Sequence, residues 1–340
     1  MAFISKLRLI ILYVLLLAAK PLYGGQAVLN GVMMKGKTGY AIAVNSSTGI
    51  QKKFFNFSSI TKKYKILNIP IIRGIVILIE MMKVGNKSLS YSADIVIEDA
   101  YEPSERKGEN GSEHKEEMSG EKITKSQKSA FSFMMVIAVL VSTVFAIGLF
   151  KVAPLGAATL LNNYISIPTY LFNIVAGLTK LAIFVLYIFL VSQYKDIKEL
   201  FTYHGAEHKT IHCYESGQPL KAANISLFSR IHPRCGTAFI FVVILFTILI
   251  TLFISKEIPF WTSLIIRISL LPIIIGASYE FQRLSARTGL WIFKIFMAPG
   301  LWLQRLTTNN PSPEHISTAR VALRAVLLAD AKKNAKLAKN

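Results

Sequence analysis

The sequence predicts an α-helical integral membrane protein with four transmembrane helices, further interfacial helices and a small N-terminal cytoplasmic β unit. Three observations carry that expectation. Hydrophobic residues make up 52% of the 340 and charged residues only 17%, a balance that belongs to membrane proteins. Apolar runs at residues 130–150, 168–191, 236–255 and 259–279 each approach or exceed the roughly 20 residues needed to span hydrocarbon as a helix. Ahead of them, a stretch of alternating hydrophobicity is punctuated by turn residues.

Taken in order, residues 1–22 form an apolar N-terminal segment. Lys6 and Arg8 precede a short apolar core at 9–19, as in a signal peptide, but Lys20, Pro21 and Leu22 follow without a small-residue cleavage pattern. An uncleaved, membrane-associated segment is expected. Residues 23–65 read as the β unit: alternation over 40–44, a turn signal at 45–49 and a second run over 50–55 predict a hairpin. Its Gly24, Gly25, Gly31, Gly36 and Gly39 match neither phosphate-loop nor dinucleotide spacing, so packing and turns explain them.

Residues 66–98 contain an apolar stretch that carries Arg73 and Glu80. Charges at mid-membrane depth are costly unless they face protein or water, which predicts an interfacial or re-entrant helix. Residues 99–128, dense in Glu, Lys, Ser and Gly, read as a disordered charged linker with His114 solvated in it. A first transmembrane pair follows at 129–192, a cytoplasmic histidine-rich segment at 193–235 and a second transmembrane pair at 236–281. The remainder, 282–340, reads as an interfacial segment, broken at Ala298, Pro299 and Gly300 with Trp291 and Trp302 at headgroup depth, and then a C-terminal helix. His315 is expected at the surface of that helix's first turn.

Lysines and arginines set the orientation. The segment between the second and third apolar runs holds Lys195, Lys198, Lys209, Lys221, Arg230 and Arg234, whereas only Lys151 and Lys256 fall in the other two turns. The positive-inside rule then puts the histidine segment and the C-terminus in the cytoplasm, in a multi-pass protein of a bacterial plasma membrane. The net charge of +20 is spread over those loops without a nucleic-acid motif, so anionic lipid headgroups are the expected partner and nucleic acid is not. A homo-oligomer or other membrane proteins are the further partners to consider. Cys213 and Cys235 both fall on the cytoplasmic side, which favours free thiols or metal ligands over a disulfide.

The stretch YHGAEHKTIHCYE, residues 203–215, holds three of the six histidines of the chain. In a helix, His204 and His208 lie about 40° apart on one face and one turn apart in height, the spacing of a helical metal pair. With Glu207 they match H-x-x-E-H, the inverted zincin pattern, in which two imidazoles bind zinc and the glutamate moves a proton of water. His212 extends the face. Glu215 returns to it about 16 Å further along the axis, too far for the same ion and placed either for a second ion or for a salt bridge. His232 and Cys235, in HPRCG, add imidazole and thiolate donors on a turn stiffened by Pro233. A closed set of His204, His208, His232 and Cys235 would be structural; His204 and His208 with His232 or Glu280 would leave a position open for catalysis. For Glu280, an ion pair with Arg73 or Arg283 is the structural reading.

The motifs GGQAVLNGVMMKG, YHGAEHKTIHCYE, HPRCGTAF, SYEFQRL and APGLWLQRLTT, in this order between residues 24 and 330, resemble the YqhQ family of bacterial membrane proteins. That family carries a domain of unknown function and is labelled a predicted metal-dependent enzyme. The resemblance implies a site made from His204, Glu207, His208, Glu215, His232, Arg234 and Cys235. Asn30 stands where the family usually has Glu, His212 falls at a variable position, and the apolar start before Gly24 lies outside the pattern. Two functions are therefore expected. One is a membrane enzyme, hydrolytic, with a divalent ion such as zinc and Glu207 as catalytic base. The other is a non-enzymatic scaffold, quality-control factor or oligomeric pore, with a structural metal or none. A transporter lacks the support of an internal repeat.

Overall fold

The computed structural model describes residues 23–106, 137, 140–288 and 290–337. The apolar segment 1–22, most of the expected linker and His114 lie outside the described residues. The chain divides into two compact units, one formed by residues 1–99, 185–247 and 270–340 and the other by 100–184 and 248–269.

The first unit is built on a four-stranded antiparallel sheet in the order β1-β2-β3-β4: β1 (Gly24–Val28), β2 (Gly31–Lys35), β3 (Gly39–Ser46) and β4 (Gly49–Asn56). The expected hairpin is β3–β4, closed at Ser46↔Gly49, and Gly49 takes φ 114°, a conformation open mainly to glycine. The sheet buries both faces. Val32, Met34, Ala41 and Ala43 pack on α5 (Lys195–Glu215) and on α11 (Pro313–Leu337), through Ala206, Ile211, Leu323 and Val326. Val28, Met33, Ile42 and Val44 pack on α2 (Ile72–Arg106), through Val84 and Ile95. These two sets alternate along each strand, which is the period-2 pattern of a sheet covered on both sides.

The helix expected within residues 66–98 forms as α2 and is longer than expected. After the short α1 (Ile60–Lys63) and a 3₁₀ turn at Lys65–Asn68, it runs for 35 residues and reaches into the expected linker as far as Arg106. Its charges are satisfied by protein. Arg73 donates to Glu280 from Nε at 2.6 Å and also from Nη2, and Glu80 accepts from the Ser59 hydroxyl at 2.7 Å and the Ile60 amide at 2.5 Å. Both charges thus face protein groups, as the cost of burying an unpaired charge requires.

Two described helices are long and apolar enough to cross a membrane: α3 (Leu140–Tyr164) and α4 (Thr169–Val191). Taken as one bent span, α8 (Phe260–Ser269) and α9 (Leu271–Thr288), which meet at 42°, make a third. Among the described residues, two or three candidate spans therefore stand where four were expected. After the short α6 (Ala222–Ser226), the run at 236–255 yields a helix, α7 (Gly236–Thr251), of only 16 residues, below the usual spanning length. The run at 259–279 breaks before Pro272, which lacks the amide that would bond to the turn behind it. The first span continues past the expected end at 150, as far as Tyr164, and carries Lys151 within a π-helical turn, Gly148–Val152.

In the second unit, Leu155, Ala158, Ile167, Phe172, Ala176 and Leu264 form the apolar core. A buried polar knot accompanies it: Arg267 donates to Asn173 and to Ser263, and Asn173 donates to the carbonyl of Ile254 at 2.9 Å. An arginine in an apolar run is affordable only with such partners.

The helix α10 (Trp291–Thr307) passes straight through Pro299, where a break was expected. Gly300 packs there, a Cβ being 3.2 Å from the Ala238 backbone and 3.1 Å from Phe241, so contact with α7 supports the turn that the proline weakens. The C-terminal helix forms as expected, but His315 is not a free surface residue. Its ring lies 4.5 Å from that of Tyr203, and Nε2 is 2.9 Å from Glu199.

Candidate metal centre

The helix α5 carries the H-x-x-E-H run. It stops in a Schellman motif: Gly217 takes φ 76°, its amide bonds to the Tyr214 carbonyl at 3.1 Å and that of Gln218 to Cys213 at 3.2 Å. Within the helix, Gly205 has a local reason to be glycine. A Cβ there would overlap the Asn309 carbonyl oxygen, so only glycine lets the chain leaving α10 lie against α5. That approach brings the Thr307 carbonyl to 2.8 Å from His204 Nδ1.

One turn further on, His208 Nδ1 lies 2.5 Å from the Arg230 carbonyl. A carbonyl only accepts, so both rings donate from Nδ1, and in the neutral ring that leaves Nε2 bare. His204 Nε2 faces Cys235 Sγ at 3.2 Å. His204, His208 and Cys235 offer ligand atoms that all lie within 4.8 Å of one another. Tetrahedral zinc separates its nitrogen and sulfur donors by roughly 3.3–3.8 Å, so the cluster fits such an ion after small adjustments. Nδ1-to-carbonyl bonds are also the usual outer support of metal-binding histidines.

Cys235 is held by what surrounds it. The Thr237 amide donates to Sγ at 3.4 Å, Gln282 donates to the Cys235 carbonyl at 3.3 Å, and Gln304 makes two 2.8 Å bonds with the backbone N–H and C=O of His232. Neither glutamine stood out as a site residue in the sequence, although SYEFQRL and APGLWLQRLTT contain them. Gln304 is fully buried, and its amide replaces the strand partner that the HPRC turn lacks.

His232 stands outside the cluster. Its Nδ1 accepts the Arg234 amide at 3.3 Å and its Nε2 faces Glu215 at 3.4 Å, so both nitrogens are taken. Burial pushes its imidazole below the ordinary range, against the pull of Glu215. Glu215 also pairs with the Arg234 guanidinium. Its burial would raise the carboxyl, but the hydrogen bonds from His232 and Arg234 outweigh that and hold it at about 2. Of its two expected roles it takes the salt bridge. His212 packs against His232 with ring centres 4.5 Å apart and planes tilted by 43°, and burial lowers its pKa too. Glu280 is paired with Arg73. The structure thus brings together His204, His208 and Cys235, and assigns His232, Glu215, Arg234 and His212 to an adjoining polar network.

Glu207 points between the cluster and the sheet. Its carboxylate is buried, with Oε2 3.4 Å from His208 Nε2. Burial raises its pKa, while His204, His232, the Gly25 amide and Arg234 work in the opposite direction. Gly25, on β1, was read from the sequence as a packing glycine, and packing is its geometry: a Cβ would be 2.8 Å from Glu207 Cγ and 2.6 Å from the Met33 carbonyl. A small polar cavity of about 110 Å³ joins Glu207, His204, His208 and Cys235. Next to it, an apolar cleft of about 710 Å³ opens from His204 and Cys235 along β1.

Sheet, apolar helices and cluster define a class: a helix-rich protein with membrane-type apolar helices and a His-His-Cys group, buried at His208 and Cys235 and partly open at His204, beside the edge of a β-sheet. Residues 69–329 match the family described as "Protein of unknown function (DUF1385)", and the chain belongs to that family. It is 36% identical over 311 residues to "Uncharacterized protein YqhQ" of Bacillus subtilis (strain 168), an alignment covering 88% of this chain and 90% of that protein. The family resemblance carried by the five motifs is therefore borne out. No solved structure matches the chain.

Proposed function

We propose that the protein is a metal-dependent hydrolase of the bacterial plasma membrane, with a zinc-type ion held by His204, His208 and Cys235 and Glu207 as general base. The observation that carries this reading is the pair of bare Nε2 atoms, each fixed by an Nδ1–H···O=C bond, grouped with the Cys235 thiol. Three protein donors leave one position free, the arrangement of catalytic rather than structural zinc. An ion there supplies Lewis acidity and a more acidic water. Glu207, fixed beside His208 and anchored by the Gly25 amide, accepts the proton from the attacking water and passes it to the leaving group. Its burial moves it towards the range in which a carboxylate works as a base near neutral pH. The Glu215, Arg234 and His232 network holds the turn that presents Cys235.

The test is metal content of the detergent-purified protein. Close to one ion per chain is expected in the wild type and in Glu207→Gln, and a loss of more than about tenfold in affinity in His204→Ala, His208→Ala. Hydrolysis, once a substrate is supplied, should fall by roughly 10²- to 10⁴-fold in Glu207→Gln. Absence of metal from the wild type after attempted reloading would remove the reading and leave the scaffold. The basic loops around α5 support a cytoplasm-facing site and C-terminus lying against anionic headgroups. A C-terminal reporter active only outside the cell membrane should stay silent, and a signal from it would reverse the orientation.

A further inference from the structure

The apolar cleft beside the cluster is bordered by a strand edge. β1 is the outer strand of the sheet. In its antiparallel pairing with β2, Val28↔Gly31 flanks a two-residue turn and Gly25↔Met34 and Ala27↔Val32 alternate with Gln26↔Met33. Pairs flanking such a turn exchange both ladder bonds, so every second residue of β1 turns its N–H and C=O away from β2. Gly25 and Ala27 are those residues. The Gly25 carbonyl and both backbone groups of Ala27 therefore face the cleft, which Gly25, Gln26 and Ala27 line together with His204 and Cys235. The opposite walls are apolar, with Leu78, Phe201, Phe239, Val243 and Ile275.

We infer that this cleft binds an extended, apolar polypeptide segment, which adds to β1 as a further strand and presents an amide to the His204–Cys235 end. An acyl chain would fill the apolar walls but leave the outward backbone groups of β1 desolvated and unpaired, which is unfavourable. A peptide strand pairs them and places alternate side chains on the walls, the recognition mode of strand addition. This rests on the hydrolase reading for its chemistry, which is then peptide cleavage. The oxygen of water bonds to the carbonyl carbon, the C–N bond breaks, and the amine nitrogen leaves with the proton that Glu207 took from the water.

The test uses the full-length, detergent-purified Glu207→Gln protein and a fluorescent, end-capped octapeptide of alternating valine and alanine. Saturable binding is expected. Ala27→Pro removes an outward N–H without touching the β1–β2 ladder and should weaken binding roughly five- to tenfold, whereas Ala27→Val should not. Independently of any folding defect, two N-methylated peptides probe the unmodified strand: methylation of one alternate set of amides should abolish binding and of the other set should not. Equal binding of both methylated peptides, or complete displacement by a monoacyl phospholipid with Ala27→Pro binding as tightly as Ala27→Val, would overturn the inference in favour of a lipid cleft. Peptide binding that persists in His204→Ala, His208→Ala protein while the wild type holds no metal would sustain the cleft and sink only the hydrolase reading.

Discussion

Cys235 Sγ lies 3.2 Å from His204 Nε2, although 31 residues separate them and they belong to different elements. His204 sits on α5, and Cys235 stands just before α7, held there by Gln282 and Gln304. A thiolate and an imidazole that close, with a second imidazole in reach, give a spectroscopic prediction. Loaded with cobalt, the wild type should show sulfur-to-metal charge-transfer absorption in the near ultraviolet. Cys235→Ser should lose that band and bind cobalt more than about tenfold more weakly, while Cys213→Ser should keep it. Persistence of the band in Cys235→Ser would remove Cys235 from the ligand set.

Gly25 has no room for a methyl group, with Glu207 Cγ on one side and the Met33 carbonyl on the other. Gly25→Ala should cost roughly 1–3 kcal/mol through overpacking and displace Glu207 without touching a metal donor. The expected result is normal metal content with a fall in turnover larger than the fall in folded protein. Metal content and turnover lost in parallel with folding would reduce Gly25 to a packing role.

Asp330 on α11 fastens the C-terminal helix to the sheet. It accepts from the Thr38 amide at 2.9 Å, the Thr38 hydroxyl at 2.5 Å, the Lys37 amide at 3.0 Å and the Tyr23 hydroxyl at 3.0 Å. Asp330→Ala should destabilise the first unit by roughly 2–4 kcal/mol, since it strands several donors at once, read as a lower melting temperature in detergent. Burial raises this carboxyl, but the bonds from Thr38, Lys37 and Tyr23 prevail and its pKa is lowered. A depressed folded-state value means that the contribution is complete above the unfolded pKa of about 3.9 and fades as pH falls below it. The gap between wild type and Asp330→Ala should therefore be constant near neutrality and narrow under acid. A gap that widens in acid would contradict the assignment.

Gln304 offers the last check. Its side chain bonds to both the N–H and the C=O of His232 from a fully buried position. Gln304→Leu should leave both backbone groups unpaired, free the HPRC turn and lower metal affinity, although no ligand is altered. Gln304→Glu keeps an acceptor for the His232 amide but loses the donor, and should fall between the two. Wild-type metal affinity in Gln304→Leu would show that the turn is set without it.

The sequence by itself determined the hairpin and the helix that carries His204 and His208. Alternation and turn residues specify the β3–β4 hairpin, and a four-residue spacing puts His204 and His208 on one face of any helix, whatever surrounds it. Five ordered motifs determined the family. These are local properties, fixed by backbone geometry and side-chain period. Tertiary structure decided the rest. It joined Arg73 to Glu280 and Glu80 to Ser59 and laid one side of the long helix α2 on the sheet. It ended the apolar run of α7 too early for an ordinary span and bent the run after it. It took Cys235 into the cluster and gave His232 to Glu215, a choice between two donors three residues apart that spacing leaves open because both sit on the same turn. That choice depends on Gln304, Gln282 and the carbonyls of Thr307 and Arg230, groups brought from distant parts of the chain by packing. Their hydrogen bonds set ring orientation and tautomer, and those decide which nitrogen remains free to hold an ion.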